Sequence, residues 1–311
     1  MMQLGQYPPP THTIAHVSDT HFLGGRRRLY GAVDTDRNLA RALEQLERSG
    51  SRPSAIVITG DLADLAEPDA YERLRDQLAP VADRMGSRII WVMGNHDERR
   101  PFSSILLGEQ PSDAPQDRVH DVDGLRIVAL DTSVPGYHHG ELSDEQLSWL
   151  EGVLAIPAAH GTLLALHHPP LPAVIEIMAI IELQEQQKLA DVIRGTDVRG
   201  ILAGHLHYST HGSFAGVPVS VASATCYSID PSGEPDTLLG VDGGQSINLV
   251  NVYADNVVHS IVPVGDSPQV AGFSGVMLER LASMTPEERR EAFSSKTSTF
   301  SVEEAESSSG S

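Results

Sequence analysis

Six short runs of Val, Ile and Leu, separated by stretches of helical periodicity, constrain this chain more than any other feature. They are TIAHV (13–17), AIVIT (55–59), RIIWVM (88–93), LRIVAL (125–130), TLLALH (162–167) and GILAG (200–204). Each has strand length and little alternation, the pattern of a strand covered on both faces. The spacers read differently. Residues 34–50 place Leu39, Leu43 and Leu46 at helical spacing and stop at Gly50. Residues 67–86 carry Pro68 near their start, where a proline suits the first helical turn. Residues 143–154 open on Ser143 with Glu145 and Gln146 close behind, near to a capping box. Strands and helices alternating at this pitch predict βαβ units and an α/β fold.

The character changes after residue 211. GSFAGVPVSVASATCYS (212–228) and SINLVNVYADNVVHSIVPV (246–264) read as strands joined by turns. They predict a second, more antiparallel sheet packed on the first. The stretch 171–189, LPAVIEIMAIIELQEQQKL, reads as one amphipathic helix, with a lid or a dimer contact as the alternative. From residue 266 the apolar pattern fades. A short helix fits 284–295, and the acidic, low-complexity end SVEEAESSSGS reads as disorder.

The polar residues at the ends of the apolar runs point to chemistry. Asp19 and His21 come after the first, Asp61 after the second, and Asn95, His96 and Asp97 after the third. His167 and His168 close the fifth, and His205 and His207 come after the sixth. Open α/β sheets place their ligand crevice at the C-terminal ends of strands. Singly, Asp-x-His, Gly-Asp or Gly-His is a common turn or cap. Five strand ends aiming Asp, Asn and His at one region suggest a metal site instead. Of 14 histidines, eight lie in a few short clusters, including His138 and His139.

The charge balance limits the partners. The chain carries 22 Lys and Arg against 42 Asp and Glu, a formal net charge of −20. Such a surface repels polyanions, so a nucleic-acid partner or a non-specific nuclease is disfavoured. A small phosphate ester remains compatible, because local cations outweigh a distant field. No apolar stretch approaches the roughly 18 residues that span a bilayer. The start, MMQLGQYPPPTH, shows neither the basic nor the apolar segment of a secretory signal. The single cysteine, Cys226, leaves no internal disulfide and fits a reducing compartment or a buried small side chain. The expectation is a cytoplasmic protein without a transmembrane segment. Peripheral membrane association through the tail and pairing into a homodimer stay open.

Taken in order, the motifs D-x-H, G-D, G-N-H-D, H and G-H-x-H resemble those of the calcineurin-like metallophosphoesterases. Within that family the stretches SDTHFLGG, RRLYGAVD, VMGNHD, DTSVPGYHHGE, LALHHPP and ILAGHLHYST are similar to bacterial class III cyclic nucleotide phosphodiesterases, the mycobacterial enzyme among them. The resemblance implies a two-sheet αββα sandwich over residues 12–265, with a binuclear metal centre at the strand ends and 266–311 as a tail. It implies that Asp19, His21, Asp61 and His207 hold one metal, and that Asp61, Asn95, His167 and His205 hold the other. Iron and manganese are the expected pair, with two manganese ions or zinc as alternatives.

The same resemblance implies hydrolysis of 3′,5′-cyclic nucleotides, cAMP or cGMP, by attack of a hydroxide bridging the metals. His96 would be the general acid on the leaving oxygen, and Asn95, His96 and His138 would contact substrate. Asp64, three residues after the bridging Asp61, would orient His96, unless it is only a helix-start residue; Asp97 is a second candidate. His168 would face away from the metals. The amide at position 95 has a physical reason. Two divalent ions bring four positive charges; Asp19 and Asp61 remove two, a bridging hydroxide one, and the imidazoles and Asn95 none, which leaves about +1 to attract a phosphodiester. An Asp at 95 would cancel that surplus. Other readings are a broader phosphoesterase acting on 2′,3′-cyclic nucleotides, phosphomonoesters or nucleotide–lipid pyrophosphates, and a non-catalytic scaffold. A scaffold should have lost ligands or the acid, and none is missing.

Overall fold

Every apolar run forms a strand in the computed structural model, which describes residues 5–234, 237–270, 272 and 275–298. In chain order the strands are β1 (His12–Val17), β2 (Ala55–Thr59), β3 (Arg88–Val92), β4 (Arg118–Val122), β5 (Leu125–Ala129), β6 (Thr162–Ala165), β7 (Val198–Ala203), β8 (Thr210–Phe214), β9 (Val217–Val221), β10 (Ser228–Ile229), β11 (Gly240–Val241), β12 (Ser246–Val252) and β13 (Val257–Pro263). A five-stranded sheet has the order β13-β12-β1-β2-β3, and a six-stranded sheet the order β4-β5-β6-β7-β9-β8. Within them β1-β2-β3 and β5-β6-β7-β9 are parallel, and the outer pairings are antiparallel.

Period-two alternation makes the layers. Along β2, Ile56 and Ile58 pack with Leu39, Leu43, Leu46, Leu74 and Leu78 from helices Thr35–Arg48 and Pro68–Met85. The intervening Ala55 and Val57 pack with Ile127, Leu163 and Leu202 of the other sheet. On the far side, Val128, Leu164 and Ile201 meet Leu147, Leu150, Leu189 and Ile193 from helices Asp144–Leu154 and Gln186–Ile193. The result is an αββα sandwich. Ser143 and Gln146 form a full capping box at the third helix.

Three expectations change. The strands after residue 211 do not make one second sheet: only the short β10 and β11 pair apart from the rest, as a two-stranded antiparallel ribbon. β8 and β9 extend the sheet of β4–β7, while β12 and β13 extend that of β1–β3, because each pair has an open edge to complete. β4, an edge strand with exposed Val119, has no counterpart among the runs read from the sequence. Residues 171–189 are not one helix. A 3₁₀ turn over Glu176–Ile181 is separated from helix Gln186–Ile193 by Glu185 at φ 48°. Backbone bonds from Gly140 N–H to Glu182 O and from Gln184 N–H to Gly140 O draw the intervening residues into a bridge, which uses groups that a helix would need.

Residues 10–265 make one compact unit. A second unit comprises the chain on either side of it, and its described part has helices Gly275–Ser283 and Pro286–Arg289, the latter running on through Arg290–Ser294. The first of these helices is not expected from the sequence pattern, and Met277 and Leu281 are buried against Met284. The end read as disorder, 301–311, lies outside the described residues.

Candidate metal centre

The parallel strands of both sheets end at one place. Asp19 and His21 leave β1, Asp61 leaves β2, Asn95 and His96 leave β3, His167 leaves β6, and His205 and His207 leave β7. Backbone bonds zip these loops together: Asp19 N–H to Gly60 O (3.1 Å), His21 N–H to Asp61 O (2.8 Å) and Gly204 N–H to His167 O (3.0 Å). Five of the polar residues have left-handed backbones: Asp19 (φ 51°), His21 (44°), Asp61 (49°), His205 (72°) and His207 (58°). Each such conformation costs about 1–3 kcal/mol for a residue with a Cβ, and their concentration marks a functional site. Two motif glycines are explained by close approach. A Cβ on Gly94 would lie 2.2 Å from the Asp61 amide nitrogen, and one on Gly204 would lie 1.9 Å from Ser18 Oγ.

The hydrogen bonds around the imidazoles decide where their lone pairs point. His21 Nδ1 donates to Asp64 Oδ1 (2.9 Å), His207 Nδ1 to Tyr227 O (3.1 Å), His167 Nδ1 to Thr59 O (2.7 Å) and His205 Nε2 to Ile181 O (2.9 Å). Each outward bond fixes a tautomer and leaves the other ring nitrogen as an acceptor aimed inward. His21 Nε2 then faces His207 Nε2 at 3.2 Å, and His167 Nε2 faces His205 Nδ1 at 3.2 Å. Asp61 Oδ2 lies 3.3 Å from both His21 Nε2 and His167 Nε2. Asp19 Oδ1 joins the first group, 3.4 Å from His207 Nε2, and Asn95 Oδ1 the second, 3.1 Å from His167 Nε2.

Two clusters of acceptors thus share one carboxylate. Lone pairs at these distances repel unless a proton or cation lies among them. The carboxylates are held by main chain: His96 N–H donates to Asp61 Oδ1 (2.9 Å), and His205 N–H reaches both oxygens of Asp19 (3.2 and 3.1 Å). The ligand atoms of Asp19, His21, Asp61 and His207 all lie within 4.8 Å of one another.

All of these ligand side chains except Asn95 are buried, and the pKa values respond. Burial opposes the charge on Asp61, but His167 and then His21 outweigh it and hold that carboxylate well below its usual range. Burial likewise opposes protonation of His167, yet Asp61 and then Asp19 raise its pKa to about 9. Protons and cations therefore compete for one set of lone pairs.

The more open residues stand beside this centre. His96 Nδ1 donates to the main-chain carbonyl of Asp64 (2.9 Å), while the Asp64 carboxylate lies 3.6 Å away and spends its hydrogen bond on His21. The residue expected to orient His96 is in place, but it holds His96 through its carbonyl. Asp97, the second candidate, is buried under other bonds. It accepts from the amides of Leu62, Ala63 and Gly94 and from Tyr71 Oη, so it ties the loops after β2 and β3 together. Burial, then Asp61, push its pKa up to about 6. His138 Nδ1 accepts from Asn95 Nδ2 at 2.9 Å, and its ring centroid lies 5.1 Å from that of His96. One of the two N–H groups of the Asn95 amide is therefore engaged by His138. His168 is buried, bonds Thr132 Oγ1 (2.8 Å) and donates to the His138 carbonyl (3.1 Å).

A family model described as calcineurin-like phosphoesterase matches residues 12–209, the segment that holds every one of these loops. The chain belongs to the calcineurin-like phosphoesterase family. Over 272 residues it is 55% identical to a protein of Mycobacterium tuberculosis named cAMP/cGMP dual specificity phosphodiesterase, covering 88% of this chain and 86% of the relative. It is 31% identical over 263 residues to the 3′,5′-cyclic adenosine monophosphate phosphodiesterase CpdA of Escherichia coli K12, covering 83% and 93%. A dimetal phosphatase from Danio rerio shares the fold, with a TM-score of 0.60 at 19% identity, covering 83% of this chain and 98% of that one.

The family uses a binuclear metal centre, and the donors fit one. Six buried side chains and Asn95 offer only acceptors inward, in two groups joined by Asp61. Several residues of the calcineurin-like site had no sequence signal. Thr59, Tyr227 and Ile181 act through main-chain carbonyls, which every residue type supplies. Asp97 carried a signal, its place in GNHD, that suggested catalysis and not loop stitching.

Proposed function

We propose that this chain is a metal-dependent phosphodiesterase that hydrolyses 3′,5′-cyclic nucleotides, both cAMP and cGMP. One observation carries the reading: Asp61 Oδ2 lies 3.3 Å from imidazole lone pairs on two sides, so two adjacent cation sites share one carboxylate. We assign Asp19, His21, Asp61 and His207 to one site and Asp61, Asn95, His167 and His205 to the other, with iron and manganese as the expected occupants. Two such cations, when bound, supply positive charge to the phosphoryl group and a nucleophilic water at neutral pH.

The protein's own groups do the rest. Asn95 and His138 form a hydrogen-bonded pair at the open side of the centre and bind a phosphate oxygen. His96, its Nδ1–H fixed on the Asp64 carbonyl, presents Nε2 as the proton donor to the leaving oxygen of the ribose. The relative named cAMP/cGMP dual specificity phosphodiesterase supports the substrate class. Residues 12–265 are the catalytic domain and 266–311 an accessory tail. We place the protein in the cytoplasm, with the tail as the candidate for peripheral membrane contact, and expect no nucleic-acid partner; pairing of two copies is a matter for sedimentation.

A second reading, a broader phosphodiesterase, draws on the 29% identity over 221 residues to a glycerophosphodiester phosphodiesterase of Enterobacter lignolyticus. A hydrolysis panel with added manganese separates the two: 3′,5′- and 2′,3′-cyclic nucleotides, monoesters, glycerophosphodiesters and a bis-nitrophenyl ester. Fast monoester turnover beside weak activity on every diester would overturn the first reading.

A further inference from the structure

The centre is closed on most sides. Asp19, His21, Asp61, His167, His205 and His207 are buried, whereas Asn95 and His96 are partly exposed and His138 is exposed. A substrate therefore approaches past the loops after β2, β3 and β5. A cleft of about 460 Å³ opens there, with Asn95 among its lining residues. The loop after β2 contributes Leu65, that after β5 contributes Val134 and Pro135, and that after β3 contributes Glu98 and Arg99. Leu65 is 59% exposed, an apolar side chain left open beside a charged centre.

The polar groups of this cleft are not equally available. Arg99 is committed to Asp131 Oδ2 (2.9 Å), Asp113 O (3.2 Å) and Ser133 O (3.0 Å). Arg100 is paired with Asp113, and the Asp97 carboxylate is filled by backbone amides and Tyr71. The Glu98 carboxylate carries no hydrogen bond or ion pair among the described residues. An ionised carboxylate is an acceptor only, so its partner must bring N–H or O–H groups. It also repels phosphate, which sets a polarity along the cleft: anion at the metal centre, donor-bearing group toward Glu98.

We infer that this cleft is a nucleobase subsite, in which the purine lies on Leu65 and Pro135 and Glu98 accepts hydrogen bonds from N–H groups on its edge. The inference rests on the cyclic-nucleotide reading. The ribose carries the oxygen that His96 protonates, so the sugar stands at His96 and the base extends beyond it. Adenine and guanine both present N–H donors on one edge, so a single carboxylate serves both bases. That makes Glu98 a specificity residue with no part in the chemical step.

Binding of product to the manganese-loaded protein tests this. Calorimetric titrations would compare 5′-AMP, the 5′-phosphate of unsubstituted purine riboside, and ribose 5-phosphate, in the native protein and in Glu98→Ala. The native protein should bind AMP at least tenfold more tightly than the analogue lacking the amino group. Glu98→Ala should lose that preference, since tenfold is about what one hydrogen bond to a charged group contributes. Ribose 5-phosphate should shift less than AMP does. A second cleft of about 390 Å³ is lined by Tyr30 and Tyr227; an AMP preference that survives in Glu98→Ala, or that vanishes instead in Tyr30→Ala at that second cleft, would overturn the assignment. Failure to hydrolyse cAMP beside an intact, Glu98-dependent AMP preference would remove the functional reading and support the subsite.

Discussion

Stripping cations from the centre should make the protein lose stability as the pH rises from the ordinary histidine range toward 9. Without cations, His167 Nε2 and His205 Nδ1 face each other at 3.2 Å, with Asp61 Oδ2 3.3 Å from the former, and only a proton reconciles them. Burial disfavours that proton, but Asp61 and Asp19 raise the His167 pKa from 6.5 to about 9. A group that binds its proton more tightly in the folded state contributes stability that is complete below 6.5 and is lost as the pH climbs through about 9. The shift amounts to about 3 kcal/mol at 1.36 kcal/mol per unit. It is counted once, because the depressed pKa of Asp61 is the same interaction seen from its partner. For a domain of this size the loss corresponds to a fall in Tm of roughly 6–12 °C. Metal ions take the same lone pairs, so the loaded protein should show a nearly flat Tm, and metal affinity should rise over that window. Calorimetric melting across the pH range, with chelator and with manganese, measures both. A chelated protein whose Tm holds or rises, or a loaded protein that falls equally, would refute the converging lone pairs.

His96→Ala should slow cyclic nucleotide hydrolysis by about 10²–10⁴-fold, the usual worth of a general acid, and slow a bis-nitrophenyl ester far less because nitrophenolate hardly needs a proton. Equal losses on both substrates, with metals retained, would withdraw the acid role. Asp64→Ala removes the carboxylate that fixes the His21 tautomer and leaves the carbonyl that holds His96, so it should weaken metal binding by about 10–100-fold and alter leaving-group dependence much less. Metal content by elemental analysis, read beside the two-substrate ratio, checks it. Leu74→Ala, wholly buried between a helix and the five-stranded sheet, should cost about 2–5 kcal/mol in urea unfolding while leaving kcat close to native. Truncation after Gly265 should leave turnover of a small substrate intact, and loss of most of the rate would make the tail part of the catalytic unit.

Much of the site is legible in the sequence because its chemistry sits at strand ends. A run such as AIVIT declares a buried strand through local periodicity, and a parallel strand has one functional end, so Asp61, Asn95 and His167 can be gathered without coordinates. Strand partnership is less legible. β8 and β9 resemble β12 and β13 in pattern, and each pair joins a different sheet according to which edge is open. Nothing local to VPVSV or SINLV encodes that choice. The stretch 171–189 misleads for a related reason. Its helical period is real, but Gly140, distant in sequence, captures its middle through backbone bonds to Glu182 and Gln184. Backbone groups that find partners outside the segment are no longer available to a helix ladder.

What the sequence by itself determined is the set of donors and their ends of the fold, since residue type and hydrophobic period are local properties. What only the tertiary structure decided is how those donors are used. The tautomer of each imidazole depends on carbonyls of Thr59, Tyr227 and Ile181, contributed by distant segments. The Asp64 carboxylate serves His21 because the loop after β2 turns its side chain to that ring and its carbonyl to His96. A main-chain carbonyl is the same in every residue, so a sequence does not show which one will meet a histidine. Hydrogen-bond direction, and with it the convergence of lone pairs on two points beside Asp61, exists only once both sheets have packed.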